Sequence, residues 1–177
     1  MARNIEIKAR IDGIDTIVDA LRRLPADGPT EIFQDDTFFR CDNGRLKLRA
    51  FSATQGELIF YQRDNQHGPK ESFYVRAPTN DPAALRQALT LAHGVCGRVI
   101  KQRTLYLVGR TRVHLDRVQG LGEFLELEVV MDEAEPVSAG VDEAHRLMAA
   151  LGVQPHQLLE DAYVDLLARA PAHARDG

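Results

Sequence analysis

A chain of 177 residues, 44% of them hydrophobic, is long enough to bury one substantial core. Its formal net charge of −4, with 27% charged residues, excludes the global basic excess of a nucleic-acid binder or a membrane-surface protein, so any affinity for anions must come from a local cluster. No window approaches the roughly 18 apolar residues of a membrane span, and the first ten residues are too charged for a secretory leader. Cys41 and Cys96 lack the C-x-x-C spacing of a zinc or redox pair, and two buried thiols in a cytoplasmic protein are expected.

Residues 3–11 alternate with period two, placing Ile5, Ile7 and Ile11 on one face of a strand and Asn4, Glu6, Lys8 and Arg10 on the other. From Asp12 to Leu24, apolar residues recur at the helical period (Ile14, Ile17, Val18, Leu21), with Asp12 or Asp15 as cap and Pro25 as terminator. A strand-like run from Glu31 to Arg40 follows. Asn43-Gly44 is the favoured type I′ hairpin turn into a third strand, Arg45 to Ser52. Gln55-Gly56 turns the chain into ELIFYQR, and PKESFYVR follows the Gly68-Pro69 break as its neighbour. Asp81-Pro82 supplies a cap and a first-turn proline for a helix ended by Gly94. Strands over 95–108, 111–118 and 123–131 come next. Ser138 is then the expected cap of a helix to Leu151, and Pro155 opens a last helix to about Leu167. Residues 1–170 are expected to form a single domain, with 171–177 a frayed tail. Strands with hairpin connections and helices between and after them predict an α+β antiparallel fold.

The charges sort by strand. One set of polar faces collects Arg45, Lys47 and Arg49, then Tyr61 and Arg63, then Lys101 and Arg103, then Arg112. Carboxylates occupy the first and last strands, with Glu6 at one end, Glu126 and Glu128 at the other, and Asp116 sharing a face with His114. Such alternation is ordinarily the solvated face of a one-sided sheet. Paired cations two residues apart in several strands nevertheless repel one another unless an anion lies between them. If about eight strands close into a barrel, these faces share an interior. Phosphate is the best match for arginine forks there, and neighbouring carboxylates then need a divalent cation, Mg²⁺ or Mn²⁺. The expected fold is an eight-stranded antiparallel closed β-barrel with helices packed outside.

At this point the chain resembles the CYTH superfamily, the triphosphate tunnel metalloenzymes, and within it the class IV adenylyl cyclases. Asn4-Ile5-Glu6-Ile7-Lys8 stands where that family has E-x-E-x-K, and residues 100–129 are similar to its K-x-R, I-x-L-D and G-L-G-x-F-x-E-x-E strands in unbroken order. The resemblance covers residues 3–132. It implies a tunnel binding a small-molecule triphosphate with Mg²⁺ or Mn²⁺, while the charge balance above argues for no nucleic-acid or membrane partner. It implies Glu6, Lys8 and Glu126 in catalysis, with Lys8, Arg10, Lys47, Arg49, Arg63, Lys101 and Arg103 as triphosphate contacts. The implied metal carboxylates are Glu6, Asp116, Glu126 and Glu128. Asn4 departs from the pattern, a neutral oxygen donor in place of a glutamate, which bears on the number of metal sites and on catalysis more than on binding.

Three functions use the same clamp. An adenylyl cyclase converts ATP to cyclic AMP and pyrophosphate, a triphosphatase hydrolyses tripolyphosphate, thiamine triphosphate or a nucleotide, and a sensor binds without turnover; the cyclase is preferred because the motif match lies there. His114 is read as a hydrogen-bonding residue before a proton carrier. Tyr61 and Tyr74 are read as packing before base stacking. The aliphatic stripe Leu147, Leu151, Leu158, Leu159 and Leu166 is read as a lid on the core, with a homodimer surface as the alternative.

Overall fold

Alternation in the strands becomes an inside and an outside once the sheet closes. The computed structural model describes residues 2–63 and 68–170. Its strands are β1 (Ala2–Arg10), β2 (Ala26–Phe39), β3 (Arg45–Ala50), β4 (Gly56–Arg63), β5 (Lys70–Thr79), β6 (Val95–Val108), β7 (Thr111–Val118) and β8 (Gly122–Met131). They form a closed barrel in the order β1-β5-β4-β3-β2-β6-β7-β8, antiparallel throughout. The helices are α1 (Ile14–Leu21), α2 (Pro82–His93), α3 (Val137–Ala150) and α4 (Tyr163–Arg169). Among the described residues no helix is long and apolar enough to cross a membrane.

The main hydrophobic core lies outside the barrel wall. Ile5, Ile7, Val113, Leu115, Leu125, Leu127 and Val129 point outward from β1, β7 and β8 and are covered by Ile14, Ile17 and Leu21 of α1 and by Ala144 and Leu147 of α3, followed by Leu151. Burying such side chains is worth roughly 1.5–3 kcal/mol each, so this seam fixes which face of each strand turns inward. A second cluster closes one end of the barrel, where Phe38, Val99, Val118 and Phe124 meet Ala162, Tyr163 and Val164 at the start of α4. Gly97 on β6 makes the seat for α4, since a Cβ there would collide with Val164.

Several sequence expectations change. Helix α1 has Gly13 rather than an aspartate at its N-cap, and the Ile14 N–H donates to Glu123 Oε2 at 2.9 Å, a carboxylate from β8 doing what Asp12 or Asp15 was expected to do. Strand β2 begins at Ala26, five residues early, because pairing with β6 continues past a register shift between Asp27 and Thr30. Helix α3 starts at Val137, directly after Pro136, with no side-chain cap from Ser138. The last helix is interrupted: Pro155 opens only a 3₁₀ turn to Gln157, and the Leu159 N–H then donates to the Lys8 carbonyl at 2.9 Å. This strand-like crossing of β1 redirects the chain so that α4 can reach the barrel end. Cys41 is half-buried and Cys96 exposed, not buried as expected. The tail 171–177 lies outside the described residues.

Glycine also sets the distance between α3 and the wall. A Cβ on Gly140 would fall among Met131 Sδ and Ile5 Cγ1. Gly140→Val is therefore expected to destabilise the fold by about 1–3 kcal/mol through overpacking, read as a lower urea midpoint at unchanged slope.

Candidate functional site

The barrel encloses a cavity of about 310 Å³ to which all eight strands contribute. Its basic side is built from two K-x-R strands with matching geometry. On β3, Arg49 stands opposite Asp36 of β2 and donates through Nε and Nη2 to both carboxylate oxygens at 2.8 Å, while Lys47 Nζ reaches Asp36 Oδ2 at 2.9 Å. On β6, Arg103 stands opposite Asp116 of β7 and donates through Nε and Nη2 at 2.7 Å, with Lys101 Nζ at 3.8 Å. Burial alone would raise both aspartates, but the adjoining arginine and lysine charges prevail and hold their carboxyls well below the usual range. Tyr163 completes the second cluster: its hydroxyl donates to Asp116 Oδ2 at 2.8 Å, and Lys8 and Lys101 lie 4.2 and 5.0 Å from its ring centre.

The acidic side is a small lattice across β1, β8 and β7. Register places Lys8, Glu126 and His114 in one row, and Glu6, Glu128 and Arg112 in the next. Glu126 lies 3.3 Å from Lys8 Nζ and 3.5 Å from Arg103 Nη2, and Glu128 lies 3.1 Å from Arg112 Nε. Burial opposes ionisation of Glu126, yet the Lys8 charge and its neighbours hold it well below the usual range. Burial, reinforced by Arg103, lowers the His114 pKa, so the imidazole is neutral near pH 7. Four buried side-chain atoms make no hydrogen bond among the described residues: Asn4 Oδ1, Gln34 Oε1, Arg112 Nε and His114 Nδ1. All four belong to residues lining the cavity. Arg112 Nε is close to Glu128 but off the hydrogen-bonding direction. Unsatisfied buried polar atoms are costly, and their convergence on one lumen marks it as a place for a polar ligand.

The structure brings Glu6, Lys8, Lys47, Arg49, Lys101, Arg103, Glu126 and Glu128 onto one cavity. Asp116 is fully buried just beyond the lining, with both oxygens engaged by Arg103 and Tyr163. Arg10 lies outside, exposed, donating to the Leu121 carbonyl at 3.0 Å and stacking over Phe124. Arg45, in phase with Lys47, instead clamps Asp165 of α4 at 3.2 and 2.7 Å. Arg63 ends β4 opposite Ser72, and its side chain lies outside the described residues. Sequence reasoning missed Asp36, Gln34 and Tyr163. Adjacent Phe38 and Phe39, like adjacent Asp35 and Asp36, leave the phase of β2 open in the sequence, and nothing local pointed to Tyr163.

A family model for the CYTH domain matches residues 2–163. The chain belongs to the CYTH domain family. Adenylate cyclase CyaB of Aeromonas hydrophila is 24% identical over 170 residues, spanning 90% of this CYTH chain and 85% of that protein. A solved protein of Pyrococcus horikoshii OT3, PH1012, superposes with a TM-score of 0.83 at 21% identity, covering 92% of this chain and 98% of its own. HpAC1 of Hippeastrum, provisionally named an adenylyl cyclase and reported with a dominant triphosphatase activity, superposes with a TM-score of 0.61 at 16% identity, covering 93% and 94%. CYTH members are adenylyl cyclases or triphosphatases that use divalent metals.

Burial and the Arg103 charge push Lys101 down to about 7, against the pull of Asp116. A polyanion seated between the K-x-R strands favours the charged ammonium, so binding takes up a proton when Lys101 starts out neutral. Tripolyphosphate affinity is therefore expected to fall as pH rises above about 7. Calorimetry at pH 8 in buffers of different ionisation enthalpy should register greater proton uptake on tripolyphosphate binding by the wild type than by Lys101→Met, the ligand's own titration being common to both. Equal proton stoichiometry in the two proteins would contradict the assignment.

Proposed function

We propose that this CYTH protein is a metal-dependent enzyme acting on a triphosphate, of the adenylyl cyclase kind, converting ATP to cyclic AMP and pyrophosphate. The carrying observation is the disposition of charge, with two tethered K-x-R clamps in the same closed lumen as a carboxylate wall. Asp36 and Asp116 each occupy only the Nε and Nη2 donors of their arginine. A guanidinium has five N–H donors, so the remaining ones stay available to phosphate oxygens while the fork is held still. Such preorganisation is what phosphoryl chemistry asks of a protein.

The donors on the acidic side fit a divalent cation, since Glu126 and Glu128 supply carboxylates beside Glu6, and Asn4 Oδ1 and His114 Nδ1 are unpartnered among the described residues. When bound, such an ion supplies charge neutralisation and polarises a phosphoryl oxygen. In the cyclase reaction the ribose 3′-hydroxyl attacks the α-phosphorus and pyrophosphate leaves. Lys8, Lys47, Arg49, Lys101 and Arg103 hold the phosphate oxygens and the charge that develops on the leaving group. A second reading, hydrolysis of a triphosphate, is supported by the cavity's size, about 310 Å³, at the lower bound of small-molecule pockets. Closure of one end by Ala162 and Tyr163 also favours a compact linear polyphosphate.

Incubation with ATP, tripolyphosphate and thiamine triphosphate in Mg²⁺ or Mn²⁺ separates these. Cyclic AMP and pyrophosphate in equal amounts from ATP establish the cyclase; orthophosphate without cyclic AMP establishes the triphosphatase. Tight binding without product leaves a sensor, and no binding of any triphosphate overturns the whole reading. Lys47→Met is the informative binding variant, because Arg49 still holds Asp36. It should weaken tripolyphosphate by about 1.5–3 kcal/mol with the fold intact. Arg49→Ala or Arg103→Ala would each remove the bidentate partner of a buried aspartate, leaving Asp36 to Lys47 and Asp116 to Tyr163 and Lys101, and should cost stability up to about 3–5 kcal/mol. Asn4→Glu adds an anionic oxygen donor in the same lumen, so turnover should saturate at lower metal concentration.

A further inference from the structure

His114 on β7 is 4% exposed, and its Nδ1 makes no hydrogen bond among the described residues. That atom lies 3.7 Å from Glu126 Oε1 and 3.8 Å from Glu128 Oε1. One candidate ligand atom from each of these three residues falls within 4.8 Å of the others. Both separations are too long for hydrogen bonds, so neither carboxylate accepts a proton from Nδ1. The carboxylates already have cationic partners, Lys8 and Arg103 for Glu126 and Arg112 for Glu128. They do not require the imidazole to be charged. Buried at 3.7 and 3.8 Å from the two carboxylates, Nδ1 has lost its solvation without reaching a hydrogen-bond partner. A cation shared by all three atoms removes that mismatch.

We propose that His114 Nδ1 is a ligand of a mixed nitrogen–oxygen metal site with Glu126 and Glu128, and that this nitrogen biases the site toward Mn²⁺ over Mg²⁺. The proposal rests on the reading of Glu126 and Glu128 as metal carboxylates. It adds a donor that neither the motif pattern nor the carboxylate count supplies. Mg²⁺ takes oxygen ligands and sheds water reluctantly, whereas first-row transition ions accept an imidazole nitrogen, Mn²⁺ the most weakly of the series; a nitrogen donor among carboxylates therefore tells against Mg²⁺ more than against Mn²⁺. The side chain also departs from the arrangement in which a buried histidine is fixed by a carboxylate hydrogen bond, since its Nδ1 is held near two carboxylates without bonding to either.

The test is metal binding itself, without substrate or turnover. Protein labelled with ¹⁵N only in histidine is loaded with Mn²⁺ and examined by pulsed EPR. Direct ligation predicts a ¹⁵N coupling of first-shell size that is lost in His114→Gln. Calorimetry should show wild type favouring Mn²⁺ over Mg²⁺ by about tenfold or more, with His114→Gln losing on the order of tenfold in Mn²⁺ affinity and little in Mg²⁺ affinity. Mn²⁺ bound without a histidine coupling, an unchanged metal preference in the variant, or no Mn²⁺ bound at all would each overturn the proposal. Should His114→Gln fail to fold, the wild-type spectrum still decides. Tripolyphosphate titration of the metal-free protein tests the triphosphate reading separately, so His114 can fail as a ligand while the phosphate clamp stands.

Discussion

Everything in this molecule depends on pairing arginine with aspartate inside a closed sheet. Charges of one sign cannot be collected in a small lumen without compensation, because desolvation and mutual repulsion act together there. Asp36 and Asp116 meet that constraint directly across the ladder from Arg49 and Arg103. The same two contacts fix the rotamers of the forks, relieve the lysines beside them and leave donors free. The aspartates are thus buried partners of the arginine forks, not ordinary surface ion pairs; they make a basic cavity compatible with a folded chain. Their arrangement repeats on two strand pairs separated by a single ladder, so the lumen carries two basic anchors of similar build.

The barrel reverses the usual relation between sheet and core. The apolar faces of β1, β7 and β8 look outward to α1 and α3, so the energy of burial is gained behind the wall while the wall's front remains charged. This division protects function from stability: the seam of Ile5, Leu115, Leu127 and their neighbours fixes register, and register in turn fixes which charged residues share a row. A slip of one residue would exchange the two sides completely.

That division also explains what could be read from the sequence. Period-two alternation settled the faces of β1, β3 and β8 because each has an apolar partner side, and in β6 the Lys101-x-Arg103 pair marked the phase; the cavity lining follows that phase in all four. Alternation carries no information on height along the barrel. Arg10 and Arg45 have the correct phase but stand at the closed end, where one stacks over Phe124 and the other clamps Asp165. Asp36 was hidden because β2 begins outside any clean alternation and carries adjacent aspartates, Asp35 and Asp36, which face opposite ways. Asp35 takes Arg98 and Arg86 on the outer side. Tyr163 was beyond reach of any local pattern, since its position depends on the break in the last helix and on the missing side chain of Gly97. His114 was visible as a residue and as a face, but its isolation from hydrogen-bond partners is a property of three strands together.

Ala162, Tyr163 and Val164 pack with Phe38, Val99, Val118 and Phe124 at one end of the barrel, and Ala162 and Tyr163 also line the cavity. On the proposed reading, a linear triphosphate entering from the opposite end with its phosphate tail leading would keep its remaining end toward solvent. After cleavage, the fragment nearer the plug would then have to wait for the outer one to depart.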